Sequence, residues 1–159
     1  MLCDVRRAKL RPGEEAADVV FCNPPYLAAQ SGFARRHTES EIARREIEGG
    51  IADFCACAAR LLRSGGYFYA CFLPARLTDL LFAMRQNCIE PKRLTLVYPT
   101  EAHRPSLVLA EGKKDAAPSL YVTKPLLMQQ RGEDGQLRDT PQLAYIYREG
   151  AFLQEYEKP

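Results

Sequence analysis

The chain has 159 residues, enough for one domain with a moderate hydrophobic core. Its apolar fraction of 47% and charged fraction of 26% are those of an ordinary globular protein. A formal net charge of +2 excludes a globally basic nucleic-acid binder, so any basic footprint must be local.

Cys3, Cys22, Cys55, Cys57, Cys71 and Cys88 show no zinc-ligand spacing, and only two histidines are available to help them. No metal site is expected. Cys22 and Cys71 fall in apolar runs, where cysteine behaves as a small hydrophobe; the set reads as thiols in a reducing cytosol. No apolar stretch approaches the roughly 18 residues that a bilayer requires. The N-terminal MLCDVRRAKL lacks the apolar core of a signal peptide. A cytoplasmic protein without a membrane partner is expected.

In chain order, Arg6 to Ala17 is a polar connection. Asp18-Val19-Val20-Phe21-Cys22 is short, continuous and apolar, which predicts a strand buried on both faces as in a parallel sheet. Asn23-Pro24-Pro25 must end it, because proline cannot donate to a sheet ladder. A polar stretch follows from Leu27 to Thr38, and the Thr38/Glu41 spacing suits a helix start. Ile47, Ile51, Phe54, Ala58, Leu61 and Leu62 recur at helical intervals, with Gly49-Gly50 as an interruption and Ser64-Gly65-Gly66 as the expected stop. Tyr67 to Leu73 predicts a second strand. Leu77, Leu80, Leu81 and Met84 predict a second helix that runs out near Pro91.

Arg93 to Tyr98 and Ser106 to Ala110 read as two further strands. The short connection between them makes them antiparallel partners. Ser119 to Leu127 reads as extended chain interrupted by Pro125. The tail is polar, with Tyr145-Ile146-Tyr147 as its apolar anchor. Strands alternating with helices predict an α/β sheet whose first strands are parallel.

Asn23-Pro24-Pro25-Tyr26 carries the chemistry. It follows a strand, and in an open α/β sheet ligands sit outside the C-terminal strand ends. Two prolines fix φ and stiffen the turn, aiming the Asn23 side chain and the Pro24 carbonyl at one spot. Two acceptors beside an aromatic ring suit a planar group bearing an NH2. They would accept from its two N–H bonds while Tyr26 stacks on a base taken out of its helix. Nitrogen attack on a methyl sulfonium needs positioning and electrostatics more than acid–base chemistry. The same tetrapeptide also suits a plain strand-ending turn, since asparagine and proline begin many turns.

Asp18-Val-Val-Phe-Cys-Asn-Pro-Pro-Tyr26 resembles motif IV of class I amino-methyltransferases. Ala43-Arg-Arg-Glu-Ile47, Ala58-Ala-Arg-Leu-Leu62, Gly65-Gly-Tyr67, Leu73-Pro-Ala-Arg-Leu77, Glu90-Pro-Lys-Arg-Leu94, Val97-Tyr-Pro99 and Leu107-Val-Leu-Ala-Glu-Gly112 follow in order. The succession, over roughly residues 4 to 148, is similar to the tRNA1(Val) adenine-37 N6-methyltransferase family. The resemblance implies a partial class I (Rossmann-like) α/β sheet, strands four to seven, with an antiparallel C-terminal strand pair. It implies that residues 1–150 are the C-terminal part of that domain and 151–159 a tail. It further implies S-adenosylmethionine as cofactor, a tRNA substrate, Asn23 and Pro24 holding the adenine N6, and Tyr26 stacking on the base. Asp4 would match the acidic turn that touches the cofactor's adenine. No glycine-rich cofactor loop precedes Asn23, so the resemblance implies an internal start at Met1 and an exposed edge on a normally central strand.

Arg35 and Arg36, with Arg44 and Arg45, flank the stretch after the motif and suit tRNA phosphates; interleaved Glu39, Glu41, Glu46 and Glu48 suit a solvated face instead. Arg76 follows the second strand near the expected substrate position. Lys92-Arg93, Arg104 and Lys113-Lys114 would extend a basic track, and His103 reads as a turn residue. Two other functions stay open. One is methylation of another planar amino group, such as a release-factor glutamine or a guanine or cytosine. The other is a non-catalytic fragment or RNA-binding partner.

Overall fold

The computed structural model describes residues 4–24 and 50–153. Chain order gives strand β1 (Ala17–Cys22), helix α1 (Ile51–Leu61), β2 (Leu62–Phe72), a 3-10 turn (Pro74–Arg76), α2 (Leu77–Gln86), β3 (Ile89–Tyr98) and β4 (Leu107–Lys114). There follow β5 (Tyr121–Val122), β6 (Leu126–Leu127), β7 (Gln129–Arg131), β8 (Leu137–Asp139) and α3 (Pro141–Glu149). The main sheet has the order β1-β2-β4-β3-β5, with β6 also on β3. β1 runs parallel to β2, while β4 is antiparallel to both β2 and β3, so β1, β2 and β3 share one direction. The expected antiparallel pair is therefore present, and the later strand of that pair inserts between the two earlier ones.

Helices α1 and α2 cover one face. Phe68, Ala70 and Phe72 alternate along β2 toward them and join Cys55, Ala58, Leu80, Met84, Ile89 and Val108 in the principal core. The even residues of β2 thus face the helices, and Tyr67, Tyr69 and Cys71 face the other side. There a second cluster of Val97 and Leu126, with Leu107, Leu109, Ile146 and Phe152, packs under α3.

Several sequence expectations change. β1 is not buried on both faces. Val19 is 42% and Phe21 78% exposed, because among the described residues β1 pairs only with β2 and only one of its faces is covered. Helix α1 stops at Leu61, before the glycines, and begins at Gly50, whose N–H donates to the Asp53 carboxylate at 2.9 Å. Gly65 and Gly66 instead build a wide bulge in β2, where the partner register jumps from Leu62 to Tyr67. Gly65 has φ +76°, and a Cβ on Gly66 would come within 3.1 Å of the Asp18 carbonyl. β3 starts earlier than expected, at Ile89, and carries Pro91 at a register shift with β4, where a missing N–H is tolerated. Pro125 separates β5 and β6, both parallel to β3.

The C-terminal part holds more structure than its polarity suggested. β7 and β8 form a separate hairpin. Thr140 then caps α3: its Oγ1 accepts from the Leu143 N–H at 3.2 Å and donates to the Leu127 carbonyl at 2.6 Å. Pro141 follows at the first helical position and Gly150, φ 65°, closes the helix in the left-handed region. Phe152 and Leu153, placed in a tail by the sequence, pack against the second cluster. The suggested helix start at Thr38 lies outside the described residues.

Candidate active site

The parallel strands fix one end of the sheet as the chemical end. Asn23 directly follows β1 there, and Cys22, its neighbour, registers with Ala70 of β2. Pro24 is fully buried, so the turn after the strand is anchored, while Asn23 stays exposed. Asn23 lines a cavity of about 380 Å³ with Phe21, Tyr69, Cys71, Thr95 and Leu109 around it. Pro25 and Tyr26, the second half of the motif, and Arg35, Arg36, Arg44 and Arg45 lie outside the described residues.

The cavity wall combines apolar surface with one ion pair. Phe21 stacks on Tyr69 with ring centroids 5.3 Å apart and planes 23° apart. Arg93 Nη2 donates to Glu111 Oε2 at 2.6 Å across β3 and β4, and both side chains are largely covered. The Tyr69 phenol is held above its ordinary pKa, first by burial and then by the Glu111 charge. Burial pushes the Cys22 thiol up to about 12, so it is a packing group and not a nucleophile at neutral pH. These wall residues had a legible signal in part: alternate positions of an aromatic-rich strand mark one face. Nothing in the sequence showed which face would lie open.

The other sequence candidates separate into two groups. Arg76, after β2, and Arg104, in the turn after β3, lie at the same sheet end as Asn23. Neither lines the cavity. Arg76 bonds Asp79 at 3.0 Å and stands 5.4 Å over the Phe72 ring. His103 Nδ1 lies 2.7 Å from the Thr100 hydroxyl within the turn, as a turn residue should. At the opposite end lies Lys114, whose Nζ donates to the Ala59 and Leu62 carbonyls and caps the end of α1. Lys92 and Lys113 sit at that same far end, so the basic track imagined along the sequence is divided between both ends of the sheet.

Asp4 also falls at the far end. Arg60, in the last turn of α1, donates to the Val5 and Ala8 carbonyls and ties the Asp4 turn there. The Arg6 guanidinium bonded to Asp4 holds its carboxyl down at about 2. The six residues of β1, about 20 Å of strand, separate that end from Asn23. The structure therefore does not bring Asp4 to the cavity. Among the described residues no strand ends in a glycine turn beside a carboxylate, so they do not form a cradle for the nucleoside of S-adenosylmethionine. What they form is an exposed asparagine, on a turn anchored by buried Pro24, beside an apolar, aromatic-walled cavity. No group of three His, Cys, Asp or Glu among them is arranged to hold a metal ion, and none of their helices is long and apolar enough to cross a membrane.

Comparison with solved structures identifies the architecture. A predicted O-methyltransferase from Agrobacterium tumefaciens superposes with a TM-score of 0.60 at 19% identity, over 82% of this chain and 50% of that protein.

The fold is that of part of a class I methyltransferase.

A candidate class I S-adenosylmethionine-dependent methyltransferase from Listeria monocytogenes matches at TM-score 0.47 and 17% identity, over 75% of this chain and 39% of that one. A candidate DNA modification methylase from Thermus thermophilus matches at 0.46 and 13%, over 74% and 54%. The Thermus protein has also been solved with S-adenosyl-L-methionine bound. This chain thus spans about half the length of the solved structures it matches. No family model and no curated protein matches it.

Proposed function

We propose that this chain is the substrate-side part of an S-adenosylmethionine-dependent methyltransferase that methylates the exocyclic N6 of an adenine in tRNA. That domain takes in Phe152 and Leu153 as well as residues 1–150, since both pack against its second cluster. The observation that carries the reading is Asn23, on a turn anchored by buried Pro24, at the C-terminal strand end and the rim of the aromatic-walled cavity.

The chain's own part in the chemistry is orientation. The Asn23 side-chain oxygen and the Pro24 carbonyl accept the two N–H bonds of the amino group, which aims the nitrogen lone pair out of the plane of the base. Tyr26 stacks on the base and limits its rotation. The cavity wall supplies aromatic surface, Phe21 and Tyr69, beside these acceptors. Arg76 and Arg104 stand at the same sheet end for backbone phosphates, and Arg35 and Arg36 belong with them if the stretch after the motif overhangs the site. The methyl donor is held chiefly by residues other than those described.

The test is methyl transfer to unmodified tRNA by the chain joined to a cofactor-binding half, read by mass spectrometry of the nucleosides. N6-methyladenosine is the expected product, and Asn23→Ala should lower the rate by about 100-fold or more with the fold intact. Methylation of a glutamine amide or of another base, with adenine left untouched, would replace the substrate assignment.

A further inference from the structure

We infer that the cleft between the 99–106 turn and the β7–β8 hairpin is a second RNA subsite, which holds one unpaired base of the strand that carries the target adenine. RNA as the ligand rests on the proposed function; the place of the subsite and the chemistry it offers come from the residues themselves.

Strand direction puts the cleft at the chemical end of the sheet. β3 shares the direction of β1, so the turn that follows Tyr98 stands at the same end as Asn23. β6 runs parallel to β3, so the chain also leaves Leu127 at that end and enters the hairpin there. In the order β1-β2-β4-β3, three strand spacings of about 4.8 Å separate β1 from β3, about 14 Å in all. That is about four stacked nucleotides at about 3.4 Å each. An RNA strand with its target base at Asn23 reaches the cleft without leaving that end of the sheet.

The two walls are fixed to each other through the backbone. The Met128 N–H donates to the Tyr98 carbonyl at 2.8 Å, and the Gln129 N–H to the Pro99 carbonyl at 2.9 Å. The Thr140 N–H donates to the Met128 carbonyl at 3.0 Å and closes the base of the hairpin. The turn is braced internally, with the Ser106 N–H on the Val97 carbonyl at 2.8 Å and the Ala102 N–H on the Thr100 hydroxyl at 3.3 Å. The cleft between them, about 400 Å³, has the size of a small-ligand pocket. A ligand entering it has little backbone left to order.

The side chains that line the cleft are polar, and the fold leaves most of their hydrogen-bonding capacity unused. Gln130 and Glu101 line it, and among the described residues neither side chain has a hydrogen bond or ion pair. Arg131 donates to the Gly135 carbonyl at 2.6 Å and has no carboxylate partner among the described residues. The Thr100 hydroxyl, 2.7 Å from His103 Nδ1, has no other acceptor among them. Its hydrogen therefore goes to Nδ1, and the neutral ring carries its own hydrogen on Nε2. Gln130 thus offers a donor beside an acceptor, Glu101 an acceptor, and His103 a donor and a ring face. Arg131 is the one Lys or Arg of the lining and stands with one carboxylate, so attraction for bare phosphate is weak there. The set suits the edge of a base. A glutamine amide bonds a base edge through both its groups, and unpaired RNA exposes its Watson–Crick and Hoogsteen edges. Arg104, in the same turn but outside the cleft, stands ready for the adjoining phosphate.

The test measures binding of the full chain to short single-stranded RNAs by fluorescence anisotropy at fixed salt. Each RNA carries one central adenine with about four nucleotides on either side, and each flanking position is varied over the four bases. In the parent, one flanking position should change Kd about tenfold between bases. Gln130→Ala should flatten that preference to about twofold with its circular dichroism unchanged, because the side chain is exposed. A second reading needs no variant: the NMR signals of the Gln130 side-chain amide and the His103 ring in the parent should shift on adding the preferred RNA. No binding, no flanking preference, a preference that Gln130→Ala leaves intact, or unmoved Gln130 and His103 signals overturns the subsite. So does binding that weakens with salt equally for every sequence, which would be phosphate attraction alone. A preference carried by Gln130, together with methyl transfer to a group other than adenine N6, leaves the subsite standing and removes the proposed reaction. Transfer to N6 without any flanking preference does the reverse.

Discussion

Phe21 and Tyr69 meet face to face across β1 and β2, 5.3 Å between centroids, yet Phe21 keeps 78% of its surface in water. The contact stacks one exposed ring on another and buries little. Replacing Phe21 by Ala should therefore cost at most about 1 kcal/mol in the isolated chain. Phe68, one strand over on the opposite face and fully buried, should cost about 3–5 kcal/mol on the same substitution. Urea unfolding of both variants checks the contrast. Near-equal losses would mean that the Phe21 face is covered.

Gly112 tests how tightly β4 is inserted. A Cβ there would meet Met84 Cε at 2.4 Å and Ile89 Cγ2 at 2.6 Å. Met84 and Ile89 are both fully buried and have little room to yield. Gly112→Ala should destabilise by about 1–3 kcal/mol, measured as a lower urea midpoint at unchanged slope.

The Arg93–Glu111 pair and Tyr69 share one wall of the cavity. Glu111→Gln keeps the shape and removes the negative charge. The Tyr69 phenol should then titrate at lower pH than in the parent, because a neighbouring negative charge disfavours phenolate. It should remain above the ordinary tyrosine value, since burial is the larger cause. Ultraviolet difference titration reads this directly. An unchanged titration would mean that Glu111 is screened from the phenol.

Cys22 and Cys55 have thiols raised to about 12 by burial, while the ordinary value is 9.0. Both groups hold their protons more tightly folded than unfolded. They add stability that is complete below about pH 9 and declines as the pH rises toward about 12. Alkaline unfolding of Cys22→Ser/Cys55→Ser should show a shallower decline over that window. At pH 8, exposed Cys88 should be alkylated well before either.

Asp4 titrates low because Arg6 bonds it both through the guanidinium and through its backbone N–H. The Asp4 carboxyl should titrate near 2 by NMR, and Arg6→Ala should return it toward 3.8. An Asp4 already at its ordinary value in the parent would dissolve the ion pair that stiffens this turn.

The sequence by itself determined the local units and their order. Apolar periodicity located α1, α2 and four strands, because burying one helical stripe or one strand is a local demand that needs no knowledge of partners. The turn Asn23-Pro24 was legible for the same reason: proline restricts its own backbone wherever it stands. Other features were decided only by tertiary structure. The insertion of β4 between β2 and β3 depends on which strands pair, and strand pairing joins residues far apart in sequence. The exposure of Phe21 could not be read from an apolar run, since the run is the same whether one face or both find a neighbour. Asp4 and the lysines at positions 92, 113 and 114 looked compatible with one site along the chain. The direction of the strands places them at the end of the sheet away from Asn23, because a sheet, here with antiparallel β4 between β2 and β3, sorts residues by strand end and not by distance in sequence.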